Sequence, residues 1–337
     1  MTDSLLDGFE RPLRELCTVE ALRRIEAGES ADALWAGIDA LGYTDALVPA
    51  RFDGAGLSLA DMHPLFFAAG RAGLNLPFAQ TAVARALLAS AGHEPGRGCI
   101  VIAPAAGADG DAVVCHDVQD AALAKFVLVS RAGEWLLLPR VAAAFTPGAY
   151  RPKLSADTLR WESAQHAVAR FPVQGADGEA ICNALQATAM AGTMARVTDL
   201  TVLYANDRKQ FGRAIGKFQA VQQDVAVLAS QAATAEMGSR IGCAGTGFLP
   251  DPLLAASAML RACEAALRVA AISHAVHGAI GMTDEHELGL FTRRLHEARS
   301  GGAQVRCAAV LGRAALAERG PVVDFVRTQL AAVTAAA

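Results

Sequence analysis

The chain divides into three textures of hydrophobic and polar positions. Residues 1–95 place apolar side chains at helical spacing, as in Leu34, Trp35, Ile38 and Leu41, with Gly42 as a stop. The turn-rich stretch VPARFDGAGLSLADM follows, and within it Ser58 with Asp61 three residues on predicts a capped helix start. This part reads as a helical domain with one exposed glycine-rich loop. Over 96–175 short β-leaning runs, CIVIA, AVVC, KFVLVS, EWLLLP and HAVARF, alternate with Gly, Asp and Pro, which predicts a small β domain. In 176–337 Ala, Leu and Met return to helical spacing from about Glu179 to Tyr204, from Phe218 to Arg240, from Pro252 to His277 and over 303–318. Four long helices predict an antiparallel bundle. The fold class is therefore mainly α with a small β domain: an N-terminal helical domain, a middle β domain and a C-terminal four-helix bundle. The tail TQLAAVTAAA reads as a fraying helix end, and there is no internal repeat.

Composition narrows the function classes. Of 337 residues 53% are hydrophobic but only 6% aromatic, so the apolar mass is Ala, Leu and Val, which suits close-packed helices. A net charge of −4 leaves no basic excess for nucleic acid. No run approaches the roughly 20 apolar residues of a membrane span, and the first residues lack a basic stretch followed by an apolar one. A soluble, unprocessed protein is expected. Cys17, Cys99, Cys115, Cys182, Cys243, Cys263 and Cys307 are odd in number and scattered, which predicts free thiols in a reducing cytoplasm.

The most specific stretch is YANDRKQFGRAIGKFQAVQQDVA, residues 204–226. Arg208, Gln210, Phe211 and Gly212 fall at a helix end, and Phe218, Gln219 and Gln222 open the next helix. A guanidinium can grip a pyrophosphate, a glycine permits close backbone approach, and a helix N-terminus adds positive potential. An anionic, planar cofactor would fit this grouping. On spacing alone an ordinary helix hairpin with a glycine cap and a solvated arginine is the favoured reading.

The same run resembles the R-x-Q-F-G-x-x-I-x-x-F-Q-x-x-Q signature of the acyl-CoA dehydrogenase family, matching at Arg208, Gln210, Phe211, Gly212, Ile215, Phe218, Gln219 and Gln222. Downstream, HAVHGAIGMTDEHELGLFTRRL is similar to that family's Q-x-H-G-G-I-G-F-T-x-E-H-x-L stretch. LWAGIDALGYTDALVPARFDGAGLSLAD resembles its N-terminal region. The resemblance implies an FAD enzyme of lipid or steroid breakdown: a carboxylate removes the α-proton of an acyl-CoA thioester while the β-hydrogen leaves as hydride to the flavin. It also implies that Arg208 contacts the flavin pyrophosphate of a neighbouring subunit, with Phe211 packing and Gln219 hydrogen bonding on the same cofactor. His277, Gly278 and Ala279 would offer backbone groups to it. Ala279 and Ala275 stand where the family has Gly and Gln.

Two departures concern the chemistry. The family's base lies in a Y-E-G-T-x-x-I-Q run, whose counterpart here, Arg299 to Val305, holds no carboxylate. A second family location falls near Cys182, read as a buried structural thiol, with Glu179 one turn away. Glu285, Glu287 and Glu297 read as solvated helix-surface charges. The family's flavin-shielding T-E-P-x-x-G-S-D loop and W-I-T-N strand have no counterpart between Ile100 and Pro172, and residues 103–111 read as a plain surface turn. His274, His277, His286 and Glu285 could be taken for zinc ligands, but no Cys or third His stands at ligand spacing, so no metal is expected. Trp35, Trp135 and Trp161 read as core or domain-contact aromatics.

The leading expectation is a base-lacking subunit in a heteromeric α2β2 FAD-dependent acyl-CoA dehydrogenase, whose homologous partner supplies the carboxylate and most of the flavin pocket. A self-sufficient homo-oligomer using a base such as Glu179, or a scaffold without cofactor, are the alternatives. In the first case a dimer through residues 179–318 is expected, with the flavin at its seam.

Overall fold

The computed structural model describes residues 2–94, 96–104, 110–318 and 320–336. Helices α1 (Thr2–Leu16), α2 (Val19–Glu26), α3 (Asp32–Asp39), α4 (Leu59–Ala72) and α5 (Phe78–Ser90) come first. Gly42 follows α3 at φ 81°, a left-handed conformation that glycine adopts without penalty. The Ser58 cap of α4 is reciprocal: its Oγ accepts from the Asp61 N–H at 3.1 Å, and its own N–H donates to the Asp61 carboxylate at 3.0 Å. At the centre of this layer Phe9 stacks on Phe78 with ring centroids 5.1 Å apart, and Phe66 meets Phe78 edge-on at 5.6 Å.

The β region holds β1 (Ile100–Pro104), β2 (Val113–Val118), β3 (Phe126–Arg131), β4 (Glu134–Pro139), β5 (Ala144–Pro147), β6 (Ala156–Trp161) and β7 (Ala169–Pro172). One sheet has the order β1-β3-β4-β7, the other β2-β6-β5, and only the β1–β3 pair in them is parallel. Alternation divides the first sheet between two cores. Val101, Val127 and Leu136 meet Val113, Leu159 and Trp161 of the second sheet, whereas Ile102, Leu128 and Trp135 join the helices. Trp135 and Trp161 are buried, and half-buried Trp35 packs on the main core.

The remaining helices are α6 (Gly178–Asp207), α7 (Gln219–Gly242), α8 (Pro252–His277), α9 (Leu288–Ser300), α10 (Ala303–Ala317) and α11 (Val322–Ala336), with β8 (Lys209–Gln210) and β9 (Arg213–Ala214) between α6 and α7. Asp177 and Asp251 cap α6 and α8, each carboxylate accepting two backbone N–H groups. The small faces of α6 and α8 are spent within the chain: Ala184, Ala187, Ala191, Ala255, Ala258, Ala262 and Ala266 are all buried. Helix α9 and strands β5 and β6 are additions to the sequence-based expectation, and the alanine tail ends a helix that starts at Val322. No described helix is long and apolar enough to cross a membrane.

Candidate functional site

The signature segment forms a projecting turn. Helix α6 stops at Arg208, whose N–H donates to the Tyr204 carbonyl at 2.9 Å, and the Arg208 carbonyl accepts from Ile215 at 2.8 Å to close the β8–β9 ribbon. Phe211 and Gly212 make its tip at φ 49° and 79°. A left-handed phenylalanine costs about 1 kcal/mol, and Phe211 is 91% exposed, its ring meeting Phe218 edge-on with centroids 6.1 Å apart. Arg208, Gln210, Gly212 and Gln219 are exposed with it. The Arg208 guanidinium has no ion pair among the described residues. Behind the tip, the Arg213 guanidinium lies 4.1 Å from the Phe218 ring centroid, and the Gln222 amide donates to the Gly216 carbonyl at 3.0 Å.

The second predicted segment closes on the first. Gln210, Phe211, Phe218 and Val221 line a cavity of about 260 Å³ together with Ala275 and Val276 of α8. His277, at the end of α8, is buried against Tyr204, their rings stacked 4.5 Å apart, and His286 meets it edge-on at 4.6 Å. Its Nδ1–H donates to the Ser273 carbonyl at 2.7 Å, and Nε2 is buried without a partner among the described residues. Burial pulls the His277 pKa below its ordinary value, and those of His274, His286 and His296 likewise. Gly278 sits at φ 65°, ψ −143°, and both it and Ala279 are exposed. Among the described residues no group of three His, Cys, Asp or Glu can hold a metal ion.

The chain's own cleft lies between β1, the start of α6 and the α9–α10 turn, with a volume of about 190 Å³. Its lining charges are Asp117, Asp120, Glu179 and Glu297, with Arg306 beside Glu179. Ser300 and Gly301 occupy the turn where the family resemblance looks for a base, and a Cβ at Gly301 would stand 3.0 Å from the Asp117 side chain. Glu179 pairs with Arg306 at 3.4 Å, both half-exposed. Cys182 is half-buried and donates to the Ile102 carbonyl, and burial pushes its thiol up to about 12, which makes it a poor nucleophile. Of the loop read as a surface turn, residues 105–109 lie outside the described residues.

Glu297 and Glu287 correct the sequence-based expectation. Neither is a solvated surface charge. Glu297 is buried and pairs with Arg151, whose guanidinium also holds Asp120 at 2.9 Å. Burial pushes the Glu297 carboxyl up while Arg151 opposes it. Glu287 is half-buried and bound to Arg196 at 3.0 Å. Glu285 is exposed, as expected. Sequence reasoning missed Arg151, which has no local spacing signal, and Tyr204, which opens the signature stretch.

A profile of the acyl-CoA dehydrogenase C-terminal domain matches residues 180–327. The acyl-CoA dehydrogenase IpdE2 of Mycobacterium tuberculosis is 31% identical over 272 residues, covering 79% of this chain and 80% of that protein. The chain belongs to the acyl-CoA dehydrogenases. Members of this family are oxidoreductases that act on CH–CH bonds and bind FAD. The ChsE4–ChsE5 complex of Mycobacterium tuberculosis has the same fold, with a TM-score of 0.77 at 21% identity over 95% of this chain and 98% of that one. PigA with FAD and proline aligns at a TM-score of 0.74 and 18% identity, over 95% and 99% of the two chains. Within the acyl-CoA dehydrogenase fold, this chain joins a projecting basic turn to an acidic cleft of its own.

Proposed function

We propose that the chain is the base-lacking subunit of an FAD-dependent acyl-CoA dehydrogenase of lipid or steroid breakdown, working in an α2β2 complex with a homologous subunit. Its own contribution is a half-site: Arg208, Gln210, Phe211, Gly212, Gln219, His277, Gly278 and Ala279, facing a flavin held mainly by the partner. One observation carries the reading, the contrast between the exposed cationic turn and the acidic cleft. Arg208, Lys209, Arg213 and Lys217 crowd one turn, next to a phenylalanine held open in the left-handed region. That turn fits an anionic, planar cofactor presented from outside. The cleft fits one less well, because its Arg306 is already paired with Glu179, Asp120 and Glu297 share Arg151, and Asp117 stands against Gly301, while the run from Arg299 to Val305 itself holds no carboxylate.

When bound, FAD supplies the hydride acceptor for α,β-desaturation of an acyl-CoA thioester. This chain's part is to place positive charge on the pyrophosphate through Arg208 and to cover the cofactor with Phe211 and Gln219. The seven free thiols fit a reducing cytoplasm. A self-sufficient homo-oligomer is the second reading, favoured by the place of Glu179 in the cleft. The chain purified alone should show negligible acyl-CoA dehydrogenation with an artificial electron acceptor, because a general base is worth 10²- to 10⁴-fold in rate. In the complex, Arg208→Ala should weaken flavin binding by about 1.5–3 kcal/mol while the fold stays intact. Robust turnover by the isolated chain, abolished by Glu179→Gln, would replace the heteromer with the second reading.

A further inference from the structure

The two segments of the half-site are far apart in the chain, yet one residue meets both, the first through its backbone and the second through its side chain. Tyr204 lies in the last turn of α6, four residues before Arg208, and its carbonyl accepts the Arg208 N–H at 2.9 Å. That bond is the last of the helix before the β8–β9 ribbon departs. The other end of the same residue reaches α8: the hydroxyl donates to the His277 carbonyl at 3.2 Å, and the ring stacks on the His277 imidazole at 4.5 Å and 24°. His277 is the last residue of α8, and the next residue is Gly278 with its left-handed φ of 65°. The stack continues into His286, whose Nδ1 accepts the Leu288 N–H at 3.1 Å where α9 begins.

We propose that Tyr204 is the positioning residue of the half-site, holding the Arg208–Gly212 turn and the Gly278–Ala279 segment in one fixed register. Its backbone governs the first, and its hydroxyl and ring govern the second. The relation to flavin rests on the reading under Proposed function, whereas the register itself is a property of this chain. The ring alone supplies stacking, and only the hydroxyl supplies direction, because a stacked ring can slide over the imidazole but a donor at 3.2 Å from a carbonyl cannot. Phenylalanine at this position keeps the first and loses the second.

Tyr204→Phe and Tyr204→Leu test this in the free chain and in the complex with the homologous subunit. In the free chain, amide hydrogen exchange over residues 278–282 should quicken in Tyr204→Phe and more so in Tyr204→Leu, whereas the main-chain bond from Arg208 to residue 204 is kept in both. The amides of Leu228 and Val269, buried in the bundle, should stay at their original protection. In the complex, with FAD as the probe, the Kd should rise about 3- to 10-fold in Tyr204→Phe, with a changed absorbance band for the bound flavin. Wild-type protection of residues 278–282 in Tyr204→Phe overturns the proposal, as does a uniform quickening across the whole bundle. A wild-type complex that takes up no FAD would defeat the half-site reading, and the exchange comparison would still decide the role of Tyr204. Should Tyr204→Leu fail to fold, Tyr204→Phe alone decides it.

Discussion

At the scale of single residues the side chains that matter most have partners far away in sequence. His63 of α4 is buried, with Nε2 2.8 Å from the Ser239 hydroxyl of α7. Ser239 gives its own hydrogen to the Glu236 carbonyl at 2.8 Å, so its oxygen is the acceptor and His63 Nε2 carries the proton. Burial, with Arg240 nearby, holds the His63 pKa down to about 4. The unfolded chain takes up a proton near pH 6.5 that the folded chain refuses until about pH 4, so stability falls as pH drops through that window and levels off below it. The full loss is about 3 kcal/mol. Urea unfolding from pH 7 to pH 4 should show that loss in the native protein and a much flatter profile in His63→Gln, whose amide still reaches Ser239. Equal pH dependence in both would remove His63 as the cause. The acidic residues teach the same lesson about legibility. Glu297 sits in LHEARS, a string that reads as a wet helix face, and only Arg151, 146 positions earlier, turns it into a buried ion pair. Arg208, Phe211 and Gly212 were legible because their chemistry is packed into one short turn.

At the scale of elements, periodicity located α6, α7, α8 and α10, and the cap pair Ser58 and Asp61 located the start of α4, because these signals lie within a few residues of one another. Helix α9 was missed. Its sequence LGLFTRRLHEARS sets four charged residues among five apolar ones, and Phe291, Leu295 and Glu297 are buried. Strand β5, AFTP, is four residues long with three of them exposed, so no alternation marks it. Two glycines set the distance between layers. A Cβ at Gly192 of α6 would stand 2.1 Å from the Phe67 carbonyl oxygen and 2.7 Å from the Arg71 nitrogen, and one at Gly70 of α4 would stand 2.4 Å from the Ala189 oxygen. All of these are backbone atoms, which cannot swing aside. Gly192→Ala should therefore destabilise the protein by about 1–3 kcal/mol, even though alanine is the better helix former. Gly238→Ala in α7 is the control, since its nearest neighbour would be 3.6 Å away. Thermal or urea unfolding of both variants should show a loss in the first and none in the second. A Gly192→Ala protein as stable as the native one would mean that α4 and α6 can separate freely.

At the scale of the whole molecule, the order of helical, β and helical regions was legible because each keeps its own periodicity. What joins them was not. Arg151 ties the β region to α9, and Arg294 of α9 binds Glu26 at 3.0 Å and the Gly73 carbonyl in the first helical layer. These long-range ties leave the turn at Arg208 outside the core, facing away with Phe211. Val202, Leu203 and Val227 on α6 and α7 are exposed as well, which extends the apolar surface from the turn along the bundle. Within the monomer the left-handed phenylalanine meets Phe218 edge-on and leaves most of its surface open among four cations. A neighbour that brings a flavin to the turn gains an aromatic cover and a guanidinium, and permanent interfaces of this kind bury about 2,000 Å² or more. The expected assembly is therefore built through the bundle, with the flavin at the seam. Light scattering in dilute solution, on the chain alone and with its homologous partner, should give a mass above that of the monomer in the complex, with FAD retained there. Strictly monomeric protein that keeps one FAD per chain would show that the cofactor needs no neighbour, and the shared site would have to be abandoned.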